Sequence, residues 1–167
     1  VPIRTRILGL LNPANPETEV VESSPKTYSG YIEMNGKRFE VYNPASTTGT
    51  FAFTTRGNIK YLTVEIDNQF IEFMIDTGAS NVTLNAEAMQ RLGIRNFTRK
   101  AIHGTAGGPI EAYHFVIPSI KLGRFEVKNV EASYSPRNVY NLLGNTFLSH
   151  FNVTINESKG EITLTQK

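Results

Sequence analysis

From about residue 58 onward, hydrophobic and polar positions alternate along the chain with the period of two that is typical of β-strands. Residues 61–66 alternate clearly, Asp67-Asn68 suits a tight turn, and residues 69–75 form a second strand that becomes more apolar toward its end. Such a strand is expected to run into a hydrophobic core. Further strands are predicted near residues 99–103, 109–121, 125–134, 150–156 and 161–166. The pattern therefore predicts a mainly β protein with a closed, mostly antiparallel barrel.

Two short segments have helical patterns instead. Residues 86–92 are followed by Gly93, a residue that commonly ends helices, and residues 145–150 form a second, shorter candidate. One or two short helices are therefore expected beside the strands.

The region before residue 58 divides into two parts. Residues 1–27 contain several prolines, glutamates and serines and are predicted to be an extended linker or tail without a core of its own. Residues 28–57 are predicted to form a β-hairpin extension of unknown role, turning at Asn35-Gly36, with a loop over residues 46–50. Residues 58–167 are predicted to be the main domain.

Composition narrows the classes of function. The 167 residues are 40% hydrophobic and 19% charged, as in folded soluble proteins. The net charge is +2 without a cluster of Lys or Arg, so no nucleic-acid or anionic-membrane partner is expected. No stretch approaches the roughly 18 apolar residues of a membrane span. Because the chain begins at Val1 rather than Met, we expect a processed or trimmed form that a signal peptide or membrane anchor could have preceded.

Metal and cofactor chemistry is not expected either. The absence of cysteine excludes disulfides, thiolate metal sites and a cysteine nucleophile. The three histidines, His103, His114 and His150, lack the spacing of a metal-binding motif. No Gly-x-Ser-x-Gly motif, Walker A motif or dinucleotide fingerprint is present.

Asp76 is the most distinctive polar residue, because it directly follows the apolar residues 73–75. A carboxylate there is costly unless it receives hydrogen bonds or shares a proton with a second carboxyl group. Thr77 and Ser80 supply hydroxyls, and Gly78 permits a tight turn. An ordinary Asx-type turn, with Thr and Ser as routine turn residues, explains the same pattern. From this segment alone both interpretations remain open.

A second motif gives Asp76 a context. The chain contains, in order, an Asp-Thr-Gly-Ala-Ser turn, a helix ending in Leu92-Gly93, a glycine-rich segment and Leu142-Leu143-Gly144 before a short helix. This order resembles the retropepsin-like (single-lobed, clan AA) aspartic proteases, and most closely the bacterial branch related to retroviral proteases. The resemblance covers roughly residues 58–167 and implies a closed acid-protease-type β-barrel.

The resemblance implies a role for each matching residue. Asp76 would be the catalytic aspartate and Thr77 would form hydrogen bonds between two subunits. Gly78 and Ala79 would line the floor of the cleft, with Ser80 hydrogen-bonded around the aspartate. Three residues would buttress the catalytic turn from behind: Leu142, Leu143 and Gly144. A mobile flap over the substrate would comprise His103, Gly104, Thr105, Ala106, Gly107, Gly108 and Pro109, although composition alone fits an ordinary glycine-rich hairpin turn equally well.

The implied activity is that of an aspartic endopeptidase acting on polypeptides. Its mechanism requires two carboxyl groups that share a proton. The chain has one Asp-Thr-Gly motif, and its other aspartate, Asp67, lies in a predicted turn. The second carboxyl group must therefore come from a second chain, in a homodimer. The C-terminal strand over residues 160–167 is predicted to join the dimer sheet through an exposed edge.

Other interpretations stay open. The domain could be a non-cleaving relative that acts in peptide binding or assembly, or a β-barrel binding module in which the motif is coincidental. Residues 1–57 could be an inhibitory pro-region, a spacer from a membrane anchor or additional strands of the dimer. Family resemblance favours a bacterial periplasmic or membrane-associated location.

Overall fold

The computed structural model describes residues 3–8, 17–22, 30–35, 37–41 and 47–167. Most of these residues lie in strands, and two short helices accompany them, which confirms the predicted fold class. The elements before residue 58 are β1 (Ile3–Leu8), β2 (Glu17–Glu22), β3 (Gly30–Met34), β4 (Lys37–Val41), β5 (Thr48–Ala52) and β6 (Thr54–Arg56). The elements after it are β7 (Ile59–Ile66), β8 (Gln69–Ile75), β9 (Val82–Leu84), α1 (Ala86–Leu92), β10 (Arg99–Thr105), β11 (Gly108–Leu122), β12 (Phe125–Tyr134), β13 (Leu142–Leu143), α2 (Asn145–Leu148), β14 (Phe151–Asn156) and β15 (Glu161–Gln166).

The largest sheet closes on itself. Its strand order is β10-β11-β12-β9-β13-β8-β7-β6, and β11 also pairs with β7 where Lys121 meets Glu65. This last pairing joins β11, β12, β9, β13, β8 and β7 into a ring, as the predicted barrel requires. The β10–β11 hairpin extends from the ring as an arm. Two of the pairings are parallel, β9 with β12 and β8 with β13, and both adjoin the segment that follows Asp76.

A second sheet of three strands has the order β14-β15-β5. β15 lies in its centre and pairs on both sides, so the prediction of an exposed edge on the C-terminal strand is wrong. The outer strands of this sheet are β5 and β14. The predicted loop over residues 46–50 is wrong for residues 48–50, because Thr48 begins β5, and residue 46 lies outside the described residues. Threonine hydroxyls pair across β5 and β15, from Thr48 to Thr165 at 3.0 Å and from Thr50 to Thr163 at 2.9 Å, and favour this pairing.

Local sequence signals determine the turns and helix ends. Asp67 and Asn68 both have positive φ angles, 49° and 58°, as the type I′ turn between β7 and β8 requires. The side chain of Asn85 accepts a hydrogen bond from the Ala88 N–H and caps the start of α1. Gly93, with φ of 63°, ends that helix as predicted. The second helix, α2, ends at Leu148, two residues earlier than predicted.

Before residue 47 the structure describes two antiparallel pairs. β3 and β4 form the predicted hairpin, and Asn35 in its turn has φ of 51°. β1 pairs with β2 within the segment predicted as a linker. β5 and β6, which precede residue 58, pair with β15 and β7 respectively. The predicted boundaries of the three parts remain predictions.

The core lies inside the barrel and between the barrel and the three-stranded sheet. Its most buried side chains come from strands of both sheets and from α2, which fixes the second sheet against the first. They include Phe73, Ile117, Ile120, Phe147, Ile162 and Leu164, each fully buried.

Phe73 and Phe70 on β8 provide a matched test of this core. Phe73 is 0% exposed and Phe70 is 69% exposed. Phe73→Ala is expected to lower the free energy of unfolding by about 3–5 kcal/mol, because it leaves a cavity in the barrel. Phe70→Ala is expected to change that free energy by no more than about 0.5 kcal/mol. Urea unfolding monitored by circular dichroism measures both values, and equal losses would contradict the described core.

Candidate active site

The Asp76 carboxylate lies at the end of β8 and is held by backbone N–H groups. Its Oδ1 atom accepts hydrogen bonds from Gly78 N at 3.0 Å and Ala79 N at 3.2 Å. Ala79 N also lies 3.2 Å from the Asp76 carbonyl oxygen. This is an Asx-type turn, so the two interpretations of the sequence are compatible. The turn satisfies one carboxylate oxygen and keeps the side chain half-buried at the surface of a groove.

The segment from Leu142 to Thr146 lies directly against this turn. β13 runs parallel to β8, with Leu143 opposite Ile75, and the Leu143 carbonyl accepts a hydrogen bond from Asp76 N at 3.2 Å. Beyond it, Asn145 N donates to the Ala79 carbonyl at 2.9 Å, and Thr146 N donates to the Ser80 carbonyl at 3.1 Å. The Asp76 turn is therefore fixed by main-chain hydrogen bonds at both of its ends.

Gly144 stands at the closest point of this contact. A Cβ atom built on it would lie 2.2 Å from Asn81 O and 2.9 Å from Ala79 O, both backbone atoms. Its φ of −99° is open to any residue, so lack of space, rather than conformation, requires glycine here.

Several side chains that tie these segments together were missed from the sequence. Asn145 Nδ2 donates to the Thr77 carbonyl at 3.0 Å. Thr146 Oγ1 accepts from Val82 N at 2.8 Å and donates to the Glu131 carbonyl at 2.7 Å. Asn141 Oδ1 accepts from Asn85 N at 2.8 Å. The available signal was their position beside Leu142-Leu143-Gly144, because polar side chains that flank a buried strand commonly satisfy nearby backbone groups.

Asp76 lines a groove of about 800 Å³. The groove brings the Asp76 turn together with the predicted flap and with one buttress residue. The predicted residues in its lining are Asp76, Gly78, Ala79, Ser80, His103, Gly104, Thr105, Ala106 and Leu142. The remaining predicted residues of the described structure lie outside this lining: Thr77, Gly107, Gly108, Pro109, Leu143 and Gly144. Of these, Thr77 is exposed, whereas Leu143 and Gly144 are buried behind the turn.

The predicted flap is the end of the β10–β11 hairpin. Thr105 pairs with Gly108 across a two-residue turn at Ala106 and Gly107, and Gly108 has φ of 101°. Thr105 Oγ1 donates to the Gly108 carbonyl at 2.6 Å and tightens the turn. Alternate residues of both strands face the groove, namely Arg99, His103, Thr105, Ile110, Ala112 and His114.

Polar residues that the sequence did not single out complete the groove wall. They are Asn81, Thr83, Arg99, His114, Ser133, Ser135 and Asn138. His114 is 1% exposed, and its Nε2 atom lies 2.7 Å from His103 Nε2. Burial lowers the pKa of His114 below its ordinary value of 6.5, and the nearby charges of Arg99 and His103 act in the same direction. A register drawn for the predicted hairpin would have placed both histidines on one face.

Within the parts of the chain that the structure describes, no three His, Asp or Glu side chains are arranged to hold a metal ion. Over these residues, no helix is long and apolar enough to cross a membrane.

Comparison with known proteins places this site in a family. Residues 62–150, more than half of the chain, match the family described as gag-polyprotein putative aspartyl protease. The chain belongs to this family of retropepsin-like aspartic proteases. The match begins in β7, contains the Asp76 turn, the β10–β11 hairpin and the Gly144 contact, and ends just after α2.

Two rickettsial proteins are similar to this member of the family. The crystal structure of a retropepsin-like aspartic protease from Rickettsia conorii aligns with a TM-score of 0.58 and 26% identity, over 71% of this chain and 92% of that one. An uncharacterized protein of Rickettsia prowazekii (strain Madrid E) is 33% identical over 96 residues, which is 54% of this chain. The alignment spans only 40% of that relative's length.

The close approach at Gly144 generates a test. Gly144→Ala is expected to lower the free energy of unfolding by about 3 kcal/mol or more, because the new methyl group would overlap the Asn81 carbonyl. Gly104→Ala is the matched control, since a Cβ at Gly104 has no atom within 4 Å. Its effect is expected to stay within about 0.5 kcal/mol. Chemical denaturation of both variants decides the matter, and equal stability would contradict the described contact.

Proposed function

We propose that this protein is an aspartic endopeptidase that hydrolyses peptide bonds with a pair of Asp76 carboxyl groups, one from each subunit of a homodimer. The observation that carries the proposal is the position of Asp76. Its carboxylate lies on the wall of a groove that also contains the glycine-rich hairpin. Membership in the retropepsin-like aspartic proteases supports the same activity.

The chemistry follows from two carboxyl groups in contact. One, as carboxylate, accepts a proton from a water molecule as that water attacks the scissile carbonyl carbon. The other, as carboxylic acid, donates a hydrogen bond to the carbonyl oxygen, on which negative charge develops. Two adjacent carboxyl groups favour this division, because they cannot both ionise cheaply and so retain one shared proton.

One chain cannot supply this pair. The only aspartate besides Asp76 is Asp67, in the turn at the opposite end of β8. The seven residues of that strand separate the two by roughly 20 Å. A two-fold contact between two Asp76 turns is the arrangement that brings equivalent carboxyl groups together.

The exposed side of the turn suits such a contact. Thr77 and Gly78 are exposed, whereas the opposite side of the turn is occupied by Leu143 and Gly144. We assign to Thr77 the hydrogen bonds that join the two turns across the dimer axis. Within the part of the chain that the structure describes, β14 is an outer strand of the three-stranded sheet, and its edge suits pairing in a dimer sheet.

Asp76→Asn tests the catalytic assignment. Cleavage of a peptide library is expected to fall by at least about a thousandfold, because the amide cannot exchange the required proton. The fold is expected to persist, since the amide oxygen can still accept from Gly78 N and Ala79 N. Cleavage rates by mass spectrometry and thermal unfolding measure the two effects.

Asp67→Asn is the matched control for that variant. It removes the same charge at a turn position with φ of 49°, a conformation that asparagine adopts readily, so activity and stability should be unchanged. Undiminished cleavage by Asp76→Asn would refute the catalytic assignment. A wild-type dimer that binds peptides without cleaving any would instead support a peptide-binding role.

Thr77→Val tests the dimer contact separately from the chemistry. Valine preserves the shape of threonine but removes the hydroxyl, so the dimer dissociation constant is expected to rise by about tenfold or more. Thr77→Ser retains the hydroxyl and should dimerise nearly as the wild type does. Sedimentation analysis over a concentration series distinguishes them, and identical constants for the two variants would exclude a Thr77 hydroxyl contact.

A further inference from the structure

Three side chains form a continuous series of polar contacts that begins at the partly exposed Glu131 on β12 and ends at His103 in the flap. Glu131 Oε1 lies 3.2 Å from His114 Nδ1, and His114 Nε2 lies 2.7 Å from His103 Nε2. Arg99 also donates to Glu131 Oε1, at 2.9 Å. We call Glu131, His114 and His103 the histidine latch. His103 and His114 belong to the groove lining that contains Asp76, yet the proposed reaction uses neither of them.

The strand register explains why these residues meet. His103 pairs with Ile110 and His114 pairs with Arg99, so both histidines face the same side of the β10–β11 hairpin. Between them lies the pair Ala101 and Ala112, whose methyl groups leave room for two imidazole rings to lean toward each other. Glu131, on β12, pairs with Val116 of β11 and is therefore the diagonal neighbour of His114. At this distance the long Glu131 side chain can reach the His114 ring.

The contacts determine which nitrogen atoms carry protons. The hydrogen bond from Arg99 lowers the pKa of Glu131, so this residue is a carboxylate and only accepts hydrogen bonds. His114 therefore donates through Nδ1–H. When His114 is neutral, its Nε2 atom is an acceptor, and His103 donates through Nε2–H.

The pair of rings can hold one extra proton but not two. If His114 takes up a proton at Nε2, neutral His103 can accept through its own Nε2 after a tautomer change. If both rings are protonated, two N–H groups and two positive charges face each other at 2.7 Å, and the contact is lost. The charged groups around the rings are Arg99 on β10 and Glu131 on β12, with Asp76 elsewhere on the groove wall.

The electrostatic balance at His114 has a definite sign. Burial, Arg99 and His103 lower its pKa, and they outweigh the hydrogen bond and the charge of Glu131, which raise it. The folded state therefore favours neutral His114. The corresponding contribution to stability is present above the ordinary pKa of 6.5 and is lost as the pH falls through the lower folded value.

The fixed end of the histidine latch is anchored to the structure behind Asp76. The Glu131 carbonyl accepts from Thr146 Oγ1 at 2.7 Å, and the same Oγ1 accepts from Val82 N at 2.8 Å. Thr146 N in turn donates to the Ser80 carbonyl. The position of His114 is thus tied to the Asp76 turn. His103, in contrast, lies near the free end of the hairpin, two residues before Thr105, the last residue of β10.

We propose that His114 is a positioning residue that holds the flap over the Asp76 groove through His103, and that protonation of both rings releases the flap. The proposal rests on the proposed function in one respect, since it assigns the hairpin to a cleft that binds peptide. The release itself is a property of the hairpin and can be measured without catalysis.

Variants at His103 give the sharpest test, because His114 is buried and its replacement would disturb the barrel. His103→Gln keeps a group that can either donate to or accept from His114 Nε2, and it does not titrate. His103→Ala removes the contact at every pH. His150→Gln, at an exposed histidine outside the groove, is the matched control.

Amide hydrogen exchange of the full chain at fixed protein concentration provides the readout. Protection of amides in β10 and the first half of β11 is compared between pH about 7.5 and about 4.5, after correction for intrinsic exchange. In the wild type and in His150→Gln, flap protection is expected to fall by about tenfold at the lower pH, the equivalent of one lost hydrogen bond. His103→Gln should remain protected at both values, and His103→Ala should be weakly protected at both. Amides of β7 and β8 should change in none of them.

Three results would overturn the proposal. They are a wild-type flap equally protected at both pH values, a His103→Ala flap as protected as the wild type at neutral pH, and a His103→Gln flap that loses protection in acid as the wild type does. The exchange measurement is repeated in Asp76→Asn, which should retain the full pH response of the flap. Cleavage by that variant tests the protease proposal, whereas its hydrogen exchange tests the flap proposal. Either proposal can therefore fail while the other is still tested.

Steady-state kinetics provides a second test, because a merely structural role of the contact between His103 and His114 would not produce the expected changes in KM and kcat. At neutral pH, His103→Ala is expected to raise KM by about tenfold with a smaller change in kcat, because a loose flap weakens binding of substrate and transition state alike. His103→Gln should restore the wild-type KM. A fall in kcat alone, or no rescue by glutamine, would contradict positioning through this contact.

Discussion

The backbone of the Asp76 turn and the backbone of Gly144 are in direct contact, and the placement of the candidate site depends on this approach. Without a side chain at Gly144, the chain after β13 comes close enough for Asn145 and Thr146 to donate hydrogen bonds to Ala79 and Ser80. A carboxylate at the end of an apolar strand then meets N–H donors in a turn whose shape is fixed from behind. The remaining carboxylate oxygen and the exposed face of the turn face the groove and, in the proposed dimer, the second subunit.

The barrel brings this fixed turn and the end of the β10–β11 hairpin to the same groove. Closure of the ring through β11 and β7 directs the β10–β11 hairpin toward the groove that contains Asp76. The hairpin end is exposed over residues 104–107 and includes glycines, which suits the proposed role of a flap that opens and closes. In our proposal, the histidine latch holds the flap through a polar contact that is lost when both imidazole rings are protonated. A fall in pH that protonates carboxyl groups would therefore also loosen the flap.

Much of the fold was predictable because its signals are local. Asp67-Asn68 and Gly93 specify their turn and helix end through backbone conformation, and alternation located the long strands. Residues 46–50 were assigned to a loop because serine, threonine and glycine suit loops, whereas pairing with the distant β15 makes Thr48 to Ala52 a strand. The short strands β9 and β13 depend on neighbours far along the chain. Asp76 and the glycine-rich hairpin were assigned to the candidate site from motifs, but the contact between His103 and His114 depends on a register that spacing alone did not reveal.

The central claim is that one functional site needs an Asp76 carboxyl group from each of two chains. Mixing wild-type and Asp76→Asn subunits at a constant total concentration, under conditions of full exchange, tests it most directly. If both carboxyl groups are required, cleavage activity follows the square of the wild-type fraction, so an equal mixture retains about one quarter of the activity. Activity that falls in direct proportion to the wild-type fraction would show that each chain acts alone and would contradict this account.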